Sequence, residues 1–203
     1  MADAGRVIAG SAKGVRLAAP GAGTRPFTDR VKQTLFAILE PELEGANVLD
    51  LFAGSGAGGI EALSRGAARA TFVEHDAGAA RVIAENLRRA KLEARSRVTR
   101  RDAIAWLTSP EGAAIDGPFD LVLVDPPYTD MAALARALEL VEPHVSPGGR
   151  VIAKHFWRDA PPAVVGLLAS ERERRFGETA LTFYRRRADP ATATRVEEEA
   201  GKA

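Results

Sequence analysis

Two rhythms of apolar positions alternate along the chain. Short apolar runs occur at Asn47–Phe52, Ala68–Val73, Arg97–Arg101, Leu121–Val124 and Arg150–Phe156. Their length and β-branched content predict strands, and the continuous run Leu121–Val124 predicts one buried on both faces of a parallel sheet. Between them the spacing becomes helical. Val31, Leu35, Ile38 and Leu39 share one face; Val82, Ile83, Asn86 and Leu87 share another; Met131, Leu134, Leu138 and Val141 a third. Ala163–Leu168 predicts a short helix, Pro147-Gly148-Gly149 a turn, and Glu171–Arg187 a hairpin turning at Gly177. Strand and helix alternating in this order predict an α/β fold: a doubly wound, mostly parallel sheet of seven strands that ends in an antiparallel hairpin. Residues 6–18 predict two further short strands, a β-hairpin appendage within residues 1–22. The main domain is expected over 23–187, and the polar, aperiodic residues 188–203 as a disordered tail.

Composition narrows the chemistry. The 203 residues are 46% hydrophobic and 27% charged, ordinary for a globular protein of one domain. Cysteine is absent, which excludes disulfides, thiolate zinc sites and a cysteine nucleophile. His75, His144 and His155 show no metal-ligand spacing, so no metal is expected. No apolar run reaches the length of a membrane span and no signal-peptide core is visible, so a cytoplasmic location is expected. Net charge is only +1, but residues 1–39 hold six Lys/Arg against two Asp/Glu, and residues 81–101 hold eight against two. Each cluster alone reads as a solvated helix face; together they point to one positive face for a polyanion.

Candidate chemistry gathers at strand ends. Leu121–Val124 stops at Asp125-Pro126-Pro127-Tyr128, where two prolines forbid continuation. Asp125 is thereby expected at the carboxyl end of a central strand, where open α/β sheets bind ligands. A carboxylate, a fixed carbonyl and a phenol ring suit a flat heterocycle with an exocyclic amine. Asn47–Phe52 runs into Ala53-Gly54-Ser55-Gly56-Ala57-Gly58-Gly59 and then a helix, the strand–glycine loop–helix arrangement of nucleotide sites. Glu74 follows Gly56 by 18 positions, the spacing of an acid that bonds ribose hydroxyls. Asp50, just ahead of the loop, would repel a pyrophosphate but attract the cationic amino-acid part of S-adenosylmethionine. Asp102 suits either contact with a base edge of the cofactor or the cap of the helix that follows.

Asp50-Leu51-Phe52-Ala53-Gly54-Ser55-Gly56, Glu74 and Val124–Tyr128 resemble the Rossmann-like class I methyltransferases that modify exocyclic amines. More narrowly the chain resembles the RsmD-type 16S rRNA (guanine-N2) methyltransferases. Arg6-Val7-Ile8-Ala9-Gly10, Lys13-Gly14, Thr24-Arg25-Pro26, Thr28–Lys32, Glu61–Gly66 and Gly177–Ala180 carry that likeness, over roughly residues 6–187. The resemblance implies S-adenosylmethionine bound by Asp50, Phe52, Gly54, Ser55, Gly56, Glu74, His75, Asp102 and Ala103. It implies transfer at Asp125, Pro126, Pro127 and Tyr128, and RNA held by Lys13, Arg16, Arg25, Thr28 and Lys32. The implied partner is 16S rRNA in an assembling small subunit, met by a monomer. DNA adenine-N6 methylation and a non-catalytic RNA-binding module on the same fold are the rivals. The sequence departs from the family's pattern at His75 and at Lys154-His155-Phe156-Trp157, which replaces a more acidic strand end.

Overall fold

Which elements form follows from local chemistry, and the topology then brings the candidate residues together. A computed structural model describes residues 2–21, 28–110 and 117–189. In chain order the elements are β1 (Ala2–Arg6), β2 (Arg16–Ala19), α1 (Asp29–Leu39), β3 (Asn47–Leu51), α2 (Ala57–Ser64), β4 (Arg69–Glu74), α3 (Ala77–Ala90) and β5 (Ser96–Arg100). There follow α4 (Ala103–Leu107), β6 (Phe119–Val124), α5 (Met131–Val141), β7 (Val145–Phe156), β8 (Val164–Val165), β9 (Leu168–Phe176) and β10 (Thr179–Arg186). Side-chain caps start the helices: Thr28 accepts from the Val31 N–H, Asp76 from Ala79, Asp102 from Ala105 and Asp130 from Ala133. Lys91, in the left-handed region at φ 58°, ends α3.

The main sheet has the order β5-β4-β3-β6-β7-β10-β9-β8, parallel from β5 to β7 and antiparallel beyond. The chain winds outward from β3 to β5 and then returns to β6 on the other side of β3. That reversal opens a crevice at the carboxyl ends of β3 and β6. One face packs α1, α2, α3 and the N-terminal hairpin against Val48, Phe72, Leu123, Ile152 and Leu181. The other packs α4 and α5 against Leu51, Val122, Val124, Val151 and Tyr184. Among the described residues no helix is long and apolar enough to cross a membrane.

Three features differ from the sequence-based expectation. The sheet has eight strands, because Val164–Val165 pairs with β9 where a helix over 163–168 was expected. Pro161 and Pro162 precede it, and two β-branched valines favour the extended chain. The strand expected from Arg150 begins at Val145, and Pro147-Gly148-Gly149 lies inside it as an irregularity rather than as a turn between elements. The N-terminal hairpin is also bound closely into the body. Val7, Leu17 and Ala19 belong to the same buried cluster as α1–α3. The Ile8 and Ala9 N–H groups donate to the buried Glu61 carboxylate on α2, at 2.7 and 3.1 Å. A side chain at Gly10 would meet the Ser64 carbonyl at 1.8 Å, so only glycine allows this approach.

Candidate active site

Strand register builds the site. Asp50 lies opposite Phe72 on β4 and Leu123 on β6, and Leu123 lies opposite Ile152 on β7. Side chains alternate between faces with a period of two residues. Glu74, Asp125 and Lys154 each stand two positions beyond those partners, so all four ionisable groups share one face. They form a row across the carboxyl edge of four adjacent strands.

The glycine loop folds over one end of this row. Phe52 leaves β3 at φ 57°, a left-handed conformation unusual for a bulky residue and costing on the order of 1 kcal/mol. Gly54 and Gly56 continue at φ 55° and 75°, and Gly56 caps α2. Around Gly54 a Cβ would meet nothing nearer than 3.9 Å, which leaves that backbone open to a ligand. At Gly58 and Gly59 the reverse holds. A Cβ would strike Leu123 at 2.5 Å and Phe72 at 2.4 Å, so both glycines let α2 lie close on the sheet. The Gly59 N–H donates to Asp50 Oδ2 at 2.8 Å. Glu74 accepts from the Gly54 N–H and the Asp76 N–H, each at 2.8 Å, and its Oε1 lies 3.1 Å from His75 Nδ1. Asn86 on α3 fastens the loop from behind, donating to the carbonyls of Ser55 and Ala18 at 2.9 Å.

Burial sets the electrostatics. Asp50 is almost wholly buried, which pushes its carboxyl up to about 8; the charges of Asp125 and Glu74 add to this and the Gly59 N–H opposes it. Burial also raises the Asp125 carboxyl, against the pull of Lys154. Lys154 Nζ lies 2.8 Å from Asp125 Oδ2 and 5.3 Å from the Tyr128 ring centroid. The Tyr128 hydroxyl meets Thr179 Oγ1 at 2.5 Å, which ties the Asp-Pro-Pro-Tyr corner to β10.

A cavity of about 740 Å³ spans the row, within the range of small-molecule sites. Asp50, Phe52, Gly54, Ser55, Glu74, His75, Asp125, Pro126, Pro127, Tyr128 and Lys154 all line it. Glycine loop and Asp-Pro-Pro-Tyr corner therefore open onto one space.

Other expected site residues lie elsewhere. Lys32, expected to hold RNA, is fully buried: its ammonium donates to the Arg6 carbonyl at 2.5 Å and pairs with Asp29 at 3.4 Å. This corrects the expectation, since the inward face of α1 takes Lys32 into the joint with the hairpin. Asp102 and Ala103 do not line the cavity. The exposed Asp102 carboxylate caps α4 through Ala105, and Ala103 is buried beside Trp106 and Leu107. Lys13 and Arg16 are exposed on the hairpin side, with Arg16 paired to Asp3 at 3.2 Å. Thr28 caps α1, and Arg25 lies outside the described residues. Sequence reasoning missed Lys154 as a site residue. The available signal was its position at a strand end with the parity of the other three acids. Its neighbour His155 points to the other face, buried against Thr182. No group of three or more His, Asp or Glu able to hold a metal occurs among the described residues.

Known proteins resemble this chain in sequence and fold. The family described as "Conserved hypothetical protein 95" matches residues 5–185. Ribosomal RNA small subunit methyltransferase D of Escherichia coli K12 is 36% identical over 187 residues, covering 90% of each chain. The solved structure of the Escherichia coli protein yhhF superposes with a TM-score of 0.78 at 34% identity, over 91% of this chain and 98% of that one. An RNA methyltransferase from Salinibacter ruber, solved in complex with S-adenosyl-L-homocysteine, shares the fold at 15% identity and a TM-score of 0.62, over 81% and 95% of the two chains. Matched from hairpin to final strand, the chain belongs to the Conserved hypothetical protein 95 family, methyltransferases of the small-subunit rRNA methyltransferase D type.

Proposed function

We propose that this protein transfers a methyl group from S-adenosylmethionine to the exocyclic N2 of a guanine in 16S rRNA, acting as a monomer on an assembling small subunit in the cytoplasm. The observation that carries the reading is the single cavity lined by both the glycine loop and the Asp125–Tyr128 corner. Kinship with a small-subunit rRNA methyltransferase supports the substrate class.

The residues present fit that cofactor. The open backbone at Gly54 allows close approach, and among the described residues the hydrogen bond to the buried Asp50 comes from the Gly59 N–H rather than from a side-chain cation. A ligand ammonium would stabilise its ionised form. Each Glu74 oxygen accepts one backbone N–H, from Gly54 in the loop and from Asp76 ahead of α3, and keeps a further lone pair for ribose hydroxyls. When bound, the cofactor supplies an electrophilic methyl on a sulfonium sulfur.

At the other end of the row the chain's own groups prepare the acceptor. The guanine amine is a poor nucleophile because its lone pair is delocalised into the ring. Asp125 and the Pro126 carbonyl accept its two hydrogens and turn that lone pair toward the donor. Such positioning is worth several kcal/mol. The anion serves this best, because protonation turns one carboxyl oxygen into a donor and leaves Asp125 unable to take the departing proton. Lys154 favours the anion across their 2.8 Å contact. The Tyr128 ring stacks on the flipped base. After transfer the nitrogen sheds a proton, and Asp125, with 16% of its side chain exposed, is placed to pass it to water. The exposed Lys13, Arg16 and Thr28 meet phosphates.

Labelled S-adenosylmethionine, offered with small-subunit RNA and separately with duplex DNA, tests the proposal through nucleoside digestion. Label recovered as N2-methylguanosine from RNA is expected. Label in adenine, or in DNA alone, overturns it.

A further inference from the structure

Beside the Asp125–Tyr128 corner lies a second group of flat side chains that the transfer chemistry does not use. Trp157 follows β7 directly, and its backbone N–H donates to the Glu178 backbone carbonyl in the β9–β10 turn at 3.0 Å. The guanidinium carbon of Arg175 sits 3.6 Å from the Trp157 ring centroid, which is stacking distance, and that of Arg158 sits 4.8 Å from it. Arg175 is held in place by its own Nε–H, which donates to the Gly177 carbonyl at 2.9 Å. β7 ends, β10 begins and β9 ends at this edge, because Phe156 pairs with Thr179 and Thr179 with Phe176. It is the edge where Asp125 leaves β6. The link to the catalytic corner is one residue long, since Thr179 receives the Tyr128 hydroxyl contact.

We infer that Trp157, Arg158 and Arg175 form a subsite for a single-stranded nucleotide flanking the target guanine, its base stacked on the Arg175–Trp157 pair and its phosphate met by Arg158. The inference rests on the RNA methyltransferase proposal and specifies where that substrate continues beyond the cavity. A base drawn from its stack leaves neighbours that have lost a partner, and a flat surface next to the entry replaces it. Charge alone does not describe the corner, because Asp159 and Glu178 stand among the arginines. The stacked pair is therefore the feature that selects a nucleobase rather than any polyanion. Arg175 and Arg158 are both exposed, so the guanidinium groups are accessible to RNA.

Steady-state methylation of small-subunit RNA by the full chain tests this, with S-adenosylmethionine affinity measured separately by calorimetry. Arg175→Ala and Trp157→Ala are each expected to raise KM for RNA about tenfold. In both, kcat at saturating RNA should stay within about twofold and cofactor affinity should not change. Arg175→Lys keeps the charge and loses the plane, so it should recover little of the loss; Trp157→Phe should recover most. A wild-type KM in Arg175→Ala overturns the inference, and Arg175 is exposed enough for that variant to fold. Full rescue by lysine overturns it also, by reducing the site to charge. A fall in kcat with KM unchanged would mean that the group only braces Tyr128 through Thr179, and would overturn it too. Failure of the wild-type protein to methylate any RNA would instead sink the parent proposal.

Discussion

The two ends of the ionisable row are built differently. At the cofactor end, Asp50 and Glu74 are almost wholly buried, and their oxygens meet backbone N–H groups of Gly59, Gly54 and Asp76. At the base end, Asp125 is partly exposed and meets a lysine side chain, while Tyr128 is tied by its hydroxyl to a threonine. One end is a backbone cradle; the other is made of side chains that can exchange partners. Backbone groups fixed by folding lose little further entropy on binding, which suits a ligand of constant shape. A base that must be drawn from RNA and then released suits groups that can let go of one another. The ion pair between Lys154 and Asp125 is such a contact, because under the proposed function the entering amine would compete for the same carboxylate.

The largest expected effect lies at the base end. Asp125→Ala should lower kcat about 100- to 1000-fold, with cofactor affinity nearly intact by calorimetry. Wild-type turnover in this variant would remove Asp125 from the chemistry.

Asp50→Asn breaks the cofactor end instead. Cofactor affinity should fall about 10- to 100-fold, because a charge-assisted contact is lost. The pH dependence carries a sign. Burial holds the Asp50 carboxyl up at about 8 in the folded protein, against the ordinary carboxylate value of 3.8 in the unfolded chain. The folded state thus holds a proton that the unfolded state releases between those values. The stability this contributes is fully present below pH 3.8 and is lost as pH rises through about 8. The slope is about 1.4 kcal/mol per pH unit for one proton. Thermal melts of the wild type from pH 6 to 8 should decline more steeply than those of Asp50→Asn. Cofactor affinity of the wild type should rise over the same interval, since an ammonium ligand binds the ionised form. Parallel melting curves would show that Asp50 is already ionised.

Lys154→Met sharpens the contrast by acting chiefly on the side-chain end, where its ammonium bonds Asp125, although its charge also draws Asp50 down. Without the ammonium, Asp125 loses the attraction that opposes its burial, and its carboxyl rises further. The acid limb of the kcat profile should move to higher pH, and kcat near neutrality should drop about tenfold. Lys154→Arg should restore part of it. An unmoved limb would mean that Lys154 serves only packing.

The smallest effect separates ring from hydroxyl. Tyr128→Ala should cost about 10-fold or more through lost stacking, and Tyr128→Phe only about fivefold through the lost Thr179 contact. The hydroxyl would be idle if the ring acted alone, but the 2.5 Å contact gives it a positioning share. Equal losses in both variants would argue against stacking.

Much of this was legible in the chain. The strand–glycine loop–helix unit and the Asp-Pro-Pro-Tyr stop are local, because glycine and proline act on the backbone they occupy. Glu74 was readable from spacing, since loop, helix and second strand have fixed lengths. Lys32 was not. It was placed off the apolar face of Val31, Leu35, Ile38 and Leu39, and only the hairpin packed against α1 explains its burial, because the Arg6 carbonyl and Asp29 satisfy the ammonium. Asp102 offered two roles that the sequence left equal, and the cap to Ala105 is the one the structure contains. Asn86, read as a partly inward helix position, proved to be fully buried and to hold both Ser55 and Ala18.

The sequence by itself determined the central parallel strands, where each of them stops, and which acids stand at those stops. It could not determine which stops become neighbours. Between the Phe119–Val145 and Leu121–Arg150 pairings, β7 spends five residues where β6 spends two, and the irregularity at Pro147–Gly149 absorbs the excess. That offset brings Lys154 beside Asp125. A slip of one residue would turn Lys154 to the opposite face and present His155 in its place. Register is a property of paired strands rather than of either strand, so only the assembled sheet could decide it.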